Sequence, residues 1–355
     1  MADVRPFRAV RYARASADTT APPYDVIDDD ARDELRARDS RNVVHLTLEP
    51  DAAVAGNRYR RWLADGVLVR DETPAVWFLE QDYVGPDGVA RRRDGIVASL
   101  RAEPYATGAV LPHERTHAAA IEGRLRLLRE TRAQLEPIFL LYDAPSLLQR
   151  PLGDPTLEVE ETRLWRLEGE AGTEAFFADR QLLIADGHHR YETAVAFAEE
   201  DGADRLLAVL VSTSDPGLEV FATHRVFTGR PDIDPPGESH STVEAAIAAL
   251  EERPDGEPFA VFARRGATRL VRGKDGELDV DLVDRLGHAG ISYTPDRSEA
   301  VRRVESGEAD CAFILRPPRV ADVFERARRG RTMPQKATYF YPKLVSGLII
   351  HPVDP

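Results

Sequence analysis

The sequence predicts a mixed α/β fold with a smaller C-terminal α/β unit. Three observations predict it. Short apolar runs of strand length, rich in Val, Ile, Leu and aromatic residues, recur along the chain. Helix-like segments stand between them, and two are followed by Gly66 and Gly202, as glycine commonly follows a helix. A composition of 43% hydrophobic and 30% charged residues in 355 is that of a globular protein, with length for about two domains.

In chain order, strands are expected over 42–48, 75–83, 95–100, 138–142, 157–167, 181–185 and 206–212, each enriched in β-branched, leucine or aromatic residues. Helices are expected over 28–38, 54–65, 117–130, 188–200 and 241–252. The stretch 229–239, GRPDIDPPGES, combines three prolines, two glycines and acidic residues and reads as a linker. Segment 143–155 is a second loop. Beyond the linker, 259–263, 281–288, 299–306 and 311–315 suggest a smaller strand-and-helix unit. The expected organisation is a main α/β domain over 1–230 and a smaller α/β unit over 240–355, with the C-terminal segment returning to the site.

Lys and Arg number 47 against 61 Asp and Glu, a net charge of −14. That balance argues against nucleic-acid and anionic-membrane partners, which need positive surface, and leaves room for a local basic pocket. With one cysteine, Cys311, no disulfide framework, zinc ribbon or redox pair forms within the chain. No apolar run approaches ~18 residues, and the opening MADVRPFRAVRYARAS lacks a signal-peptide core. A cytoplasmic location is expected.

The sharpest segment is LLIADGHHRYETA, 182–194. An apolar strand ends at Asp186 and Gly187, and a helix begins near His188. Strand, tight turn and helix start bring backbone N–H groups and a positive dipole end to one point, which is an anion site by geometry. His188, His189 and Arg190 add donors and charge there, and Asp186 is placed to carry Mg²⁺ or orient a histidine. In PPYDVI, 22–27, two prolines stiffen the chain around Tyr24 and Asp25. Asp25 is a candidate general base or metal ligand, and Tyr24 a candidate ligand cover; the plainer alternative is a rigid turn capping the next helix.

Residues His113 to His117 spell HERTH and formally fit the HExxH zinc pattern. Pro112 directly before them implies a loop or first turn, so a phosphate-and-metal role for His113, Glu114 and Thr116 is preferred over a zinc hydrolase using His113 and His117. Arg124, Arg126, Arg129 and Arg132 follow as a basic helix face. FATHRV, 221–226, holds Thr223, His224 and Arg225, and in isolation reads as a surface turn. TMPQKATYFYPKL, 332–344, interleaves Lys336 and Lys343 with three aromatics, suited to a nucleotide. No Walker A, Rossmann GxGxxG, nucleophile elbow or protein-kinase signature is present.

Taken together, PPYDVI, PHE-x-T at 112–116, ADGHHRYETA at 185–194, THR at 223–225 and MPQK-x-T-x-F-x-PK at 333–343 resemble domain-of-unknown-function family 1015, in family order across nearly the whole chain. The departure is Phe221-Ala222, where the family pattern has Leu-Pro. The DGHHR segment is also similar to the phosphate-binding box of the ParB/sulfiredoxin-like fold, a superfamily that includes partition proteins, sulfiredoxins and kinases of free serine. Sulfiredoxin chemistry is disfavoured because no cysteine stands near Asp186–Arg190, and partition-type DNA binding by the charge.

The resemblance therefore implies a ParB/sulfiredoxin-like phosphate-binding core and a phosphotransferase acting on a small hydroxylated metabolite, best read as a free L-serine kinase. Its expected cofactors are Mg²⁺ and a nucleoside di- or triphosphate. In that reading Gly187–Arg190 hold phosphates with Lys336 and Lys343. Asp25 or Glu114 takes the hydroxyl proton, and His189 and Arg190 offset developing charge. Tyr24, His113, Thr116, Thr223, His224 and Arg225 line the substrate, and Asp186 serves the metal. The alternative from another class is a non-catalytic nucleotide or phosphometabolite sensor.

Overall fold

The computed structural model describes residues 1–116, 118–169 and 172–353. The chain forms two compact units, one comprising Met1–Gly85, Val89–Leu218 and Pro342–Pro355, the other Pro86–Gly88 and Glu219–Tyr341. Among the described residues no helix is long and apolar enough to cross a membrane.

The first unit is built on a nine-stranded mixed sheet. Its strands are β1 (Val4–Arg5), β2 (Ala75–Val84), β3 (Ala90–Arg101), β4 (Val110–Leu111), β5 (Ile138–Tyr142), β6 (Leu157–Val159), β7 (Thr162–Glu168), β8 (Leu182–Asp186) and β9 (Arg205–Ser212). They run in the order β4-β8-β5-β9-β3-β2-β7-β6, with β1 added beside β3. Among the described residues, only β8 on β4 and β9 on β5 are parallel pairs. Central strands β5, and β9 from Leu206 to Val211, are apolar and buried because both faces are covered.

Helices of this unit are α1 (Asp29–Arg38), α2 (Val44–Thr47), α3 (Ala52–Ala64), α4 (Ala118–Thr131), α5 (Thr173–Phe177) and α6 (His188–Asp201). Tyr191 and Ala194 of α6 and Phe177 of α5 pack with Ile96, Leu140, Ile184 and Leu210 on one face of the sheet. On other strand positions Leu79, Val97, Leu164 and Val209 meet Leu344, Leu348 and Ile349, which carry the C-terminal segment over the sheet.

The second unit holds β10 (Glu219–Phe221), β11 (His224–Phe227), β12 (Glu238–His240), β13 (Phe259–Arg264), β14 (Ala267–Arg272), β15 (Ile291–Thr294), β16 (Cys311–Ile314) and β17 (Tyr339–Tyr341). Six of these form an antiparallel sheet in the order β12-β14-β13-β16-β11-β15, and β10 pairs with β17. α7 (Val243–Glu251), α8 (Asp279–Asp284), α9 (Arg297–Glu305) and α10 (Val320–Arg328) belong to it.

Three expectations change. Residues 42–48 form the short helix α2, not a strand. Asn42 decides it: its side-chain oxygen accepts from Val44 N–H at 3.0 Å, and its amide donates to the Asp18 and Thr20 carbonyls at 2.7 and 2.9 Å. These bonds wind the chain before β-branched Val43 and Val44 can extend it. Residues 157–167 are the hairpin β6–β7, reversed at Glu160, whose φ is 49°. The THR segment is no surface turn, because His224 and Arg225 lie in β11, flanked by β15 and β16, and are buried.

Candidate functional site

The predicted strand–turn–helix is formed in the first unit by β8 and α6. β8 delivers Asp186 at its end, and the chain reverses through Gly187 at φ 95°. A Cβ there would stand 2.9 Å from Ile138 Cγ2 and 3.1 Å from the Arg190 guanidinium carbon, so both dihedral and space require glycine. α6 starts at once, and its N-cap, Gly187, provides no side-chain cap. A helix start of this kind can take an anion on its positive dipole end.

Asp186 does not serve as that cap. Arg190 Nη2 donates to Asp186 Oδ2 at 2.6 Å, and the Lys343 ammonium pairs with Oδ1. Arg190 Nη1 also donates to the Pro137 carbonyl. Burial alone would raise the Asp186 carboxyl, but Arg190 and Lys343 overcome it and hold the group below its ordinary value. Arg190 is itself buried, which would lower it, yet Asp186, Glu136 and Asp25 raise it. Lys343 thus joins the turn from the C-terminal segment, 157 residues away in sequence.

The PHE-x-T loop is tied to the same helix. His188 Nε2 accepts the backbone N–H groups of His113 and Glu114 at 3.2 and 3.3 Å. An accepting Nε2 carries no proton, which assigns His188 as neutral from its bonding pattern. Burial, then the neighbouring His113, pushes its imidazole well below the usual value. His113 is fully buried, its Nδ1 is 2.6 Å from the Ile184 carbonyl, and burial lowers it to about 4. Thr116 Oγ1 donates to Glu192 Oε2 at 2.7 Å. His189 is half-buried on the first turn of α6, beside these groups. His117 lies outside the described residues.

The PPYDVI hook forms a short 3-10 turn, Tyr24–Val26. Tyr24 N–H donates to Glu136 Oε1 at 2.9 Å, and the Arg124 guanidinium lies 3.7 Å over the Tyr24 ring. Burial raises the Tyr24 phenol, while Arg124 and Arg190 oppose it. Asp25 is exposed, and its charge reaches Arg190. Cap duty for α1 falls to Asp28, not Asp25.

The first unit therefore holds Tyr24, Asp25, His113, Glu114, Thr116, Asp186, Gly187, His188, His189, Arg190 and Lys343; hydrogen bonds and ion pairs tie the PHE-x-T loop and Lys343 to the turn and α6, and charge alone relates Asp25 to Arg190. Thr223, His224, Arg225 and Lys336 belong to the second unit. There Arg225 Nη2 donates to the Gln335 and Lys336 carbonyls, both at 3.2 Å, and burial brings its guanidinium down to about 10. Lys336 is exposed, with φ at 54°.

Sequence reasoning missed Glu136. It is 5% exposed and accepts from both Tyr24 N–H and the Ser346 hydroxyl, the latter at 2.9 Å, with Arg124 3.7 Å away. The available signal was an acid directly before Pro137 at the mouth of an apolar strand. Of the arginine series, only Arg124 turns inward; Arg126 is exposed, and Arg129 and Arg132 pair with Glu200 and Asp201.

Among the described residues no three His, Cys, Asp or Glu side chains are grouped to hold a metal ion. Both Asp186 oxygens already face cations, so this donor set does not fit a protein-held Mg²⁺. Lys343 and Arg190 supply positive charge there instead.

Comparison with known proteins adds four findings. An ATP-dependent L-serine kinase of Staphylothermus marinus is 21% identical over 185 residues, covering 49% of this chain and 72% of that protein. A free serine kinase solved in complex with AMP is 20% identical with a TM-score of 0.39, over 68% of this chain and 89% of that one. A conserved hypothetical protein from Pyrococcus furiosus is 18% identical with a TM-score of 0.37, over 68% and 92% of the two chains. The family model described as "Protein of unknown function (DUF1015)" matches residues 4–288, and with that span, on top of the motifs gathered around Gly187, the chain belongs to this family.

Proposed function

We propose that the chain is a nucleotide-dependent kinase of a small hydroxylated metabolite, with free L-serine as acceptor and ATP or ADP as donor. The observation that carries this reading is the uncapped start of α6, behind a turn only glycine can make, with Arg190 and Lys343 drawn to it through Asp186. The Staphylothermus relative, named an ATP-dependent L-serine kinase, supports both donor and acceptor.

In this reading the N–H groups of the first turn of α6 hold the donor phosphates. The acceptor hydroxyl oxygen attacks the terminal phosphorus, the bond from that phosphorus to its bridging oxygen breaks, and the shortened nucleotide leaves. The hydroxyl proton passes to Asp25, the exposed carboxylate of the hook, or to Glu114 of the loop held by His188. Arg190, His189 and Lys343 offset the charge that spreads over the transferred group. Tyr24, His113 and Thr116 frame the acceptor. No step of the transfer is routed through a metal.

The test is a panel of hydroxy-amino acids with ATP, ADP and CTP, read by phosphorylated product in mass spectrometry. Turnover with serine and a nucleotide is expected. Binding of a nucleotide, seen as a melting shift, with no product from any acceptor would overturn the kinase reading in favour of a sensor.

A further inference from the structure

Lys343 is the one predicted phosphate-site residue of the first unit that arrives from a segment with little regular structure. Between Tyr341 and the His351–Pro352 strand, the chain holds only an isolated bridge from Ser346 to Ala21 and another from Ile350 to Val10. A lysine on such a segment keeps its position only if the flanking backbone is held. The residue before it is held by Arg93.

Arg93 lies in β3 and is 0% exposed. Its Nη2 donates to Gln81 Oε1 at 2.6 Å and to the Pro342 carbonyl at 3.0 Å, and its guanidinium sits 4.6 Å over the Phe139 ring. On the far side of Lys343, Leu344 is buried, and Ser346 is bound by Glu136 and by backbone bonds with Ala21. Burying a guanidinium forfeits its hydration, and what Arg93 holds in exchange is the Gln81 side chain and the Pro342 carbonyl. Here the geometry fixed is that of the peptide unit carrying Lys343.

We propose that Arg93 is a positioning residue of the phosphate site: by holding the Pro342 carbonyl it aims the Lys343 ammonium at Asp186, and through Asp186 it sets Arg190. The proposal rests on the kinase reading only for its kinetic consequence, since the placement of Lys343 can be read without turnover.

The chain has three lysines, Lys274, Lys336 and Lys343. Amine acylation of the native protein, followed by peptide mass spectrometry, therefore reports Lys343 against two internal controls. In Arg93→Met, Lys343 is expected to label about tenfold faster, the factor for losing one charge-assisted hydrogen bond. Lys274 and Lys336 should keep their rates. In Arg93→Lys, whose ammonium keeps the charge and a donor but not the planar guanidinium that lies over Phe139, the gain should be smaller. Arg93→Lys also keeps the test alive if Arg93→Met does not fold.

In turnover assays kcat should fall at least tenfold with the nucleotide KM changed little, and Arg93→Lys should recover part of the loss. Unchanged Lys343 labelling in a folded Arg93 variant would overturn the proposal. Faster Lys343 labelling in the Arg93 variants, with a wild type that turns over no acceptor, would support the positioning role and reject the kinase reading, so the two fail separately.

Discussion

Two helix starts in the first unit make opposite choices. At α3, Asp51 caps in the ordinary way: its carboxylate accepts the N–H groups of Ala53 and Val54 at 2.9 and 3.4 Å. At α6 the residue in the cap position is Gly187, which has nothing to cap with, and the nearby carboxylate, Asp186, is turned away to Arg190 and Lys343. Glycine in place of a capping side chain sacrifices only a few tenths of a kcal/mol of helix stability. Burying an aspartate with an arginine adds a desolvation cost that a structural helix has no need to meet. The difference teaches that α3 starts on its own side-chain cap, whereas α6 starts without one and gathers two cations by way of a carboxylate, the arrangement on which the proposed anion site rests.

Each prediction breaks or sharpens that contrast. Removing the cation at α6 has the largest effect: Arg190→Ala should cost about 10²–10³ in turnover, as loss of an oxyanion-type donor does. It should also destabilise the fold, because Asp186 keeps Lys343 alone. Retention of full turnover by purified Arg190→Ala removes this site from the chemistry. Gly187→Ala comes next. The new methyl meets Ile138 and Arg190 at a φ of 95°, so about 2–3 kcal/mol should be lost in urea unfolding. Nucleotide-induced melting shifts should vanish with it.

The pH dependence is smaller and has a definite sign. His188 and His113 are both held below the ordinary histidine value by burial, His113 at about 4. The unfolded chain binds their protons first, so stability is complete above the unfolded value near 6.5 and falls as pH drops from there toward 4. Equilibrium unfolding at pH 7 and pH 5 should differ by at least about 1 kcal/mol per buried histidine. His188→Gln should flatten part of that slope, because a protonated His188 can no longer accept from His113 and Glu114. A slope unchanged in His188→Gln would assign the pH dependence elsewhere. The smallest effect is the control: Asp51→Ala should lose about 1 kcal/mol of stability with nucleotide response and turnover untouched. A loss of turnover there would dissolve the distinction between the two helix starts.

Much of this was legible in the chain order. The apolar run ending in Asp186-Gly187 announced strand, turn and helix, because glycine after an aspartate at a strand end has few other uses. The strand over 138–142 came out as expected for the same local reason, and the helix over 188–200 needed one further residue at its end, to Asp201. Where local signals competed, the reading went astray. Val43 and Val44 suggested a strand, but Asn42 bonds to residues 22 and 24 positions earlier and turns the segment into α2. His224 and Arg225 looked like surface polarity until the strands on either side of β11 buried them.

What the sequence determined by itself was the class of fold, the glycine-only turn and the types of side chain beside it, since these follow from dihedral preference, hydrophobic period and residue chemistry over a dozen positions. Which carboxylate meets which cation was decided only by tertiary structure. Asp186 finds Lys343 across 157 residues, Ser346 finds Glu136 across 210, and Arg93 reaches Pro342 across 249. Buried polar groups take whatever partner the packed sheet brings within hydrogen-bonding distance, and no local rule in the chain records where a distant segment will cross.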